Sequence, residues 1–354
     1  MSGVPTTNLH ITPSNVLSDG KISFASGNPV IQFIIGEQSR GLLGQSLRMC
    51  GEFAIFKDSG KASLSGDKIN IDPRLGAYSI IDQLVIKSQK THAVIEHIRH
   101  YSRMMASFVP FTANLEDNMG HQSQSALTMP NAKVMKDSVV EIESNKTTAN
   151  SFCMHLPCGL FNGTQAIPLD TTGGLLVEIH LAPDSNVLFD EDGSQTANPT
   201  AFYELSNVFL CAEAEITTPG TGSPGTFEYN SISSYFTSIN STNAIINFNL
   251  GLSNVLSCFA NILPAFQINN LGFNGNATMP ITNRDDQRAE GGNCFIVGVN
   301  YDAISNQGVS FATQDFGMNI QCGLTTNNPH AVFLFVHSKN TLVFDGQGGL
   351  QVMS

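Results

Sequence analysis

Most apolar segments of this chain are five to ten residues long, rich in Val, Ile and Phe, and bounded by clusters of Gly, Pro, Asn, Asp and Ser. That is the pattern of β-strands separated by turns. In "NVFLCAEAEI", Val208, Leu210, Ala212, Ala214 and Ile216 fall on one face and Asn207, Glu213 and Glu215 on the other, as a period of two requires. The segment "LLVEIHL" behaves likewise, with Val177, Ile179 and Leu181 opposite Glu178 and His180. One segment breaks the pattern: in "THAVIEHIRHYSRMMASFVP", Val94, Ile98, Tyr101 and Met105 recur at helical steps, with Thr91 as cap and Pro110 as stop. The spacing predicts a helix over Thr91 to Phe108, following the strand "YSIIDQLVIKS", and a second strand-then-helix pair over residues 244–263.

Two stretches repeat one another loosely. Residues 158–189 and 322–344 both begin Cys-Gly-Leu, pass through a turn-rich loop into a strand ending in His, and close on an apolar run ending in Phe. Two similar β units are therefore expected, on either side of residues 217–226. The glycines there, Gly220, Gly222 and Gly225, have the spacing of a dinucleotide-binding loop. A phosphate loop must open a helix, however, and Pro224 followed by "TFEYNSISSYF" reads as a strand, so the stretch is expected to be a solvated linker.

Length and charge narrow the picture. With 354 residues, about two domains are expected. The net charge is −12, only 13% of residues are charged, and no Lys/Arg cluster occurs, which argues against direct nucleic-acid binding. The start "MSGVPTTNLHITPSN" lacks a basic segment followed by an apolar core, so no secretory signal is expected. No apolar run approaches the roughly 20 residues of a membrane span. The seven cysteines lie mostly within apolar runs, pointing to reduced thiols and no disulfide framework. Asn-X-Ser/Thr occurs at Asn145, Asn162, Asn240 and Asn276, as expected by chance in a chain rich in these residues.

Candidate chemistry is sparse. His92, Glu96 and His100 are four apart, and on a helix they would share a face and could approach one metal ion. Their order matches neither zinc-protease helix motif, and Arg99 and Arg103 would oppose a divalent cation, so a solvated helix face is the plainer expectation. "FDEDGS" offers Asp190, Glu191 and Asp192, but Gly193 comes too early for a calcium loop and a charged inter-strand loop is expected. His180 and His337 have no nucleophile signature beside them, and no Gly-x-x-x-x-Gly-Lys loop occurs. No catalytic, cofactor-binding or metal residue is assigned.

The segments "SLRMCGEFAIF", "YSIIDQLVIKSQ" with its helix, "LPCGLFNGTQAIPL", "GGLLVEIHLAPDSNVLF" and "YELSNVFLCAEAEI", in that order, resemble the first jelly roll of a viral major capsid protein. "FEYNSISSYF", "CFIVGVNYDAISNQG" and "HAVFLFVHSKNTLVF" resemble the second. The resemblance is to the double jelly-roll capsid proteins of the tectivirus and adenovirus lineage, especially those of polinton-like viruses and virophages, from about residue 28 onward. It implies a mainly β protein of two tandem eight-stranded sandwiches with short helices in the loops. The corresponding division is an arm over 1–27, a first roll over 28–216, a linker over 217–226 and a second roll over 227–354. It further implies a non-enzymatic homotrimer of pseudo-hexameric outline. Such trimers tile an icosahedral virion shell with neighbouring capsomers, penton and minor capsid proteins, in some cases over an internal membrane. Residues 1–30 hold Lys21 as their one Lys or Arg, unlike the basic arms that package single-stranded genomes. Two rivals are a tandem β-sandwich that binds carbohydrate or a receptor, and a glycan-acting amidase on paired jelly rolls. The absence of Trp, a favoured sugar-stacking residue, counts against the first.

Overall fold

The computed structural model describes residues 5–16, 20–27, 29–37, 40–56, 69–71, 75–112, 125–127, 150–190, 201–216, 225–240, 243–264, 296–302, 308–321, 330–345 and 349–354. In chain order its strands begin with β1 (Thr6–Ile11), β2 (Lys21–Ile22), β3 (Val30–Ile35), β4 (Arg40–Phe56), β5 (Ile69–Ile71), β6 (Ile81–Ser88) and β7 (Val94–Arg99). After helix α1 (Tyr101–Thr112) come β8 (Asn150–His155), β9 (Ile167–Pro168), β10 (Leu175–Leu181), the short helix α2 (Asp184–Val187), β11 (Leu188–Asp190) and β12 (Phe202–Ile216). The remainder is β13 (Gly225–Ile239), β14 (Asn243–Asn249), β15 (Val255–Pro264), β16 (Ile296–Asn300), β17 (Asp315–Gln321), β18 (His330–Phe344) and β19 (Leu350–Met353).

Eight of the first twelve strands form a jelly roll. One sheet runs β1-β12-β4-β8 and the other β3-β10-β6-β7, all antiparallel. The pairs β1/β12, β3/β10, β4/β8 and β6/β7 are nested along the chain, as in one long hairpin folded over on itself. The later strands repeat the scheme: β13 pairs β18, β14 pairs β17, β15 pairs β16, and the main sheet runs β13-β18-β15-β16. Residues 265–295, between β15 and β16, lie outside the described residues.

Two stretches differ from the helices expected of them. Val94–Arg99 is a strand paired with β6, and α1 starts only at Tyr101, after His100 turns the chain at φ 54° and its carbonyl accepts from the Arg103 and Met104 amides. The β-branched Val94, Ile95 and Ile98 favour the strand, and their three-four spacing is coincidental. Pro110 does not stop the helix but lies in its last turn. Residues 255–264 are likewise a strand: a bulge between Val255 and Ser257 places Val255 and Cys258 on the same buried side, three apart, which mimics a helical step.

The Cys-Gly-Leu repeat does not align equivalent strands. The strand of the first copy, β10, is the seventh of its roll, whereas "HAVFLFVHSKNTLVF" is β18, the partner of the opening strand β13 in the second. The counterpart of β18 is β12, and the second Cys-Gly-Leu lies outside the described residues. Thr6–Ile11, within the stretch expected to be an arm, is the first strand of the first roll, paired residue for residue with β12 from Glu215 to Leu210.

On β12 the expected alternation holds for Val208, Leu210, Ala212 and Ala214, all buried, while Ile216 is exposed at the strand end. A bulge at Asn207, whose φ is 51°, shifts the parity, so Tyr203 and Leu205 also face the core. Ser206 and Asn207 each donate to Glu52 at 3.0 Å on the outer side. The first roll's interior includes Phe33, Phe53, Leu84, Val177 and Tyr203, and the Tyr203 hydroxyl donates to the Ala182 carbonyl at 2.6 Å.

Candidate functional site

The two rolls meet across β18. This strand is buried on both faces: Ala331, Phe333 and Phe335 belong to the core of the first roll, while Val332, Leu334 and Val336 belong to a second core with Ile246, Phe248 and Val255. A strand with one wet face alternates, whereas a strand lying between two cores is apolar throughout. The run Ala331–Val336 is apolar for that reason.

Glu96 is at the centre of the junction. It sits on β7, 2% exposed, and its carboxylate accepts three backbone N–H bonds. Gly159 and Ile232 donate to Oε1 at 2.9 and 2.7 Å, and Leu160 donates to Oε2 at 2.9 Å. Ile232 lies on β13, so one side chain binds the backbones of both rolls. Around it the Tyr229 hydroxyl donates to the Ile95 carbonyl at 2.7 Å and the Arg99 amide donates to Ser234 Oγ at 2.8 Å. Asn261 of β15 donates to the Arg103 carbonyl at 3.2 Å and to Ser107 Oγ at 2.5 Å on α1.

Gly159 lets the backbones approach this closely. A Cβ there would lie 2.5 Å from Ser231 Cα and nearer still to the Asn230 carbonyl oxygen, both main-chain atoms of β13. Beyond this polar centre the contact is aromatic. His100 lies 5.1 Å from Phe333 and 5.5 Å from Phe236, the Arg103 guanidinium sits 5.7 Å over the Phe333 ring, and Phe108 meets Phe259, which stacks on Phe335.

Burial raises the Glu96 carboxyl above the ordinary carboxylate range, and its three N–H donors oppose that shift. Burial and the neighbouring Glu96 push the Cys158 thiol well up, which makes it a poor nucleophile. Burial lowers His100, holding the imidazole neutral against the aromatic rings. The arrangement holds two sandwiches in one fixed relation.

His92, Glu96 and His100 do not share a helical face. His92 is exposed in the β6–β7 turn at φ 57°, Glu96 is in the junction, and His100 is at the entry to α1. Along a strand, residues four apart are separated by about 13 Å, too far for one ion. Among the described residues no group of three His, Cys, Asp or Glu is placed to hold a metal. His180 lies on β10, and burial lowers His337 on β18. Glu191, Asp192 and Gly193 lie outside the described residues, as do 217–224.

The junction's partners for Glu96 are backbone amides, which no side-chain motif signals. The readable hint was a Glu amid β-branched apolar residues, a position that burial tolerates only with several donors.

No protein-family model matches the sequence, and none of the curated proteins does. Solved structures do match over nearly the whole chain. A chain of the Sputnik virophage is 12% identical with a TM-score of 0.54, covering 99% of this chain and 89% of that one. The PBCV-1 virus capsid gives 11% and 0.55, covering 99% and 97%, and the Faustovirus major capsid protein gives 9% and 0.54, covering 98% and 91%. These likenesses agree with the strand order derived above: the chain is a tandem jelly-roll protein, with the double jelly-roll fold found in viral major capsid proteins.

Proposed function

We propose that this chain is the major capsid protein of an icosahedral virus, a structural subunit that assembles as a homotrimer. The observation that carries the reading is the fixed junction on Glu96 and β18 between two rolls of the same topology. Closed threefold association of such a pair sets six similar rolls around one axis, giving a pseudo-hexameric outline suited to tiling a closed shell. Because each roll meets a roll on either side, a hinge between the two within one chain would blur that outline, and the bonds from both rolls to Glu96 oppose one.

In this reading the division of the chain falls between β12 and β13, the expected linker losing Gly225 and Thr226 to β13, the acidic chain contacts the genome through no sequence-specific site, and no reaction is catalysed. Its partners are neighbouring capsomers, penton and minor capsid proteins and, where present, an internal membrane under the shell. Its place is the virion capsid, after assembly inside the host cell.

Light scattering with negative-stain imaging of the purified protein tests this. Three chains of 38.0 kDa make a particle of about 114 kDa with a hexagonal outline. A 38.0 kDa monomer over a wide concentration range would overturn the proposal.

A further inference from the structure

On the outer face of the β1-β12-β4-β8 sheet, three cysteines from adjacent strands come together. Cys50 on β4 and Cys153 on β8 are register partners with sulfurs 3.0 Å apart, and the sulfur of Cys211 on β12 lies 3.8 Å from that of Cys50. All three are free thiols and partly exposed, on the side of the sheet that also carries Glu52 and Ser151, away from the buried Met49, Phe152 and Leu210. Directly opposed residues in an antiparallel pair have Cα atoms about 4.5–5.5 Å apart, inside the roughly 4.4–6.8 Å that a disulfide spans. Cys50 and Cys153 therefore need rotation about χ1 rather than backbone movement to bond.

We propose that Cys50 and Cys153 are an oxidisable pair that closes into a cross-strand disulfide when the protein passes from a reducing to an oxidising environment, with low-molecular-weight disulfides of the glutathione type as oxidant. The Cys153 thiolate attacks one sulfur of the oxidant and releases one thiol. Cys50 then gives up its proton and attacks the Cys153 sulfur, releasing the second. Two protein thiols lose two electrons and two protons in total, and one small disulfide becomes two small thiols.

The order of attack follows from position. Cys50 lies between the other two thiols, and burial together with their proximity pushes its own thiol well up, so it is the poorer first nucleophile. Cys153 belongs to β8, at the edge of the sheet's strand order. Cys211 is separated from Cys153 by β4, and its register partner on β4 is Arg48 rather than Cys50. The bond would tie β4 to β8 between residues 103 positions apart, across the stretch between α1 and β8. The inference concerns a single sheet of one chain and does not depend on the capsid reading.

The test uses the full chain, purified in reductant and transferred to buffer with excess oxidised glutathione, weighed intact, and only then denatured and alkylated. Of the seven cysteines, two become unreactive to alkylation, the intact mass falls by about 2 Da relative to the reduced chain, and peptide mapping finds Cys50 linked to Cys153. Cys50→Ser leaves thiols on β8 and β12 with β4 between them and abolishes the link. Cys153→Ser, a change at an edge strand, likewise abolishes it, because Cys211 is in register with Arg48 and stands diagonal to Cys50, about 7–8 Å away and beyond the span of a disulfide. Alkylation of all seven thiols after oxidation, a product that stops at the mixed disulfide, or a link between other cysteines would overturn the proposal.

Discussion

Gly159→Ala is the sharpest test of the junction. The added methyl carbon would be 2.5 Å from Ser231 Cα, where apolar carbons ordinarily stand about 3.5–4.0 Å apart, so β13 must withdraw by about 1 Å. That withdrawal stretches the bonds from Ile232 to Glu96, Tyr229 to Ile95 and Arg99 to Ser234, now 2.7, 2.7 and 2.8 Å, beyond hydrogen-bond range. A bond to a charged group contributes about 1.5–3 kcal/mol and a neutral one about 0.5–1.5, which gives a loss of about 2.5–6 kcal/mol for the three. Against a typical folding stability of about 5–15 kcal/mol this is a large fraction. Gly163→Ala is the control within the same loop, because its methyl would make an ordinary 3.4 Å contact with the Leu160 carbonyl. Urea unfolding followed by circular dichroism should show the first variant strongly destabilised and the second within about 0.5 kcal/mol of wild type. If both unfold within about 1 kcal/mol of wild type, the backbone approach at Gly159 is not what holds the rolls together.

Further outcomes follow from the same geometry. Phe333→Ala removes a ring that packs against His100, Phe236 and Arg103 and should cost about 3–5 kcal/mol, read as a lower thermal midpoint and faster hydrogen exchange in both rolls. His155 is held down at about 4 by burial and by Arg48, so its neutral form contributes stability that is fully present above the usual 6.5. That contribution, up to about 3 kcal/mol, is lost as pH falls from 6.5 to 4, and His155→Gln should flatten the unfolding profile in that window. Glu96 runs the opposite way: its folded-state carboxyl lies above the ordinary 4.5, so the stability that goes with its protonated form is present at and below 4.5 and is lost as pH rises through the folded value. Glu96→Gln should erase that slope in a pH series of urea midpoints while leaving the His155 slope in place.

The strand-rich class was legible because a half-buried strand writes its period of two directly into the residues, as in Val177, Ile179 and Leu181, whereas the Cys-Gly-Leu repeat that suggested two units matched strands that are not equivalent. Helical spacing was less trustworthy. At Val94 and Ile98 it arose on a strand, and at Val255 and Cys258 a bulge inserted the extra residue that turned a step of two into a step of three. The parity shift at Asn207 is of the same kind, since a bulge leaves no composition mark beyond a residue that accepts positive φ. Thr6–Ile11 was hard to recognise because Thr7, Leu9 and Ile11 alternate with polar residues only weakly. The junction itself was least readable: Glu96 is satisfied by main-chain amides of residues 63, 64 and 136 positions away, and nothing in those residues' side chains announces the contact.

The double burial of β18 bears on how the chain is made. Translation delivers the first roll before the strand whose Phe333 packs on His100 and Arg103 exists, and roughly 130 residues separate the end of β12 from the end of β18. At about 5–20 residues per second, the nascent first roll waits on the order of ten seconds with an apolar flank open to water and to other nascent chains. Abundant synthesis on crowded ribosomes therefore puts a premium on chaperone cover during that interval, and the yield of folded subunit should respond to translation rate more than its final stability would suggest.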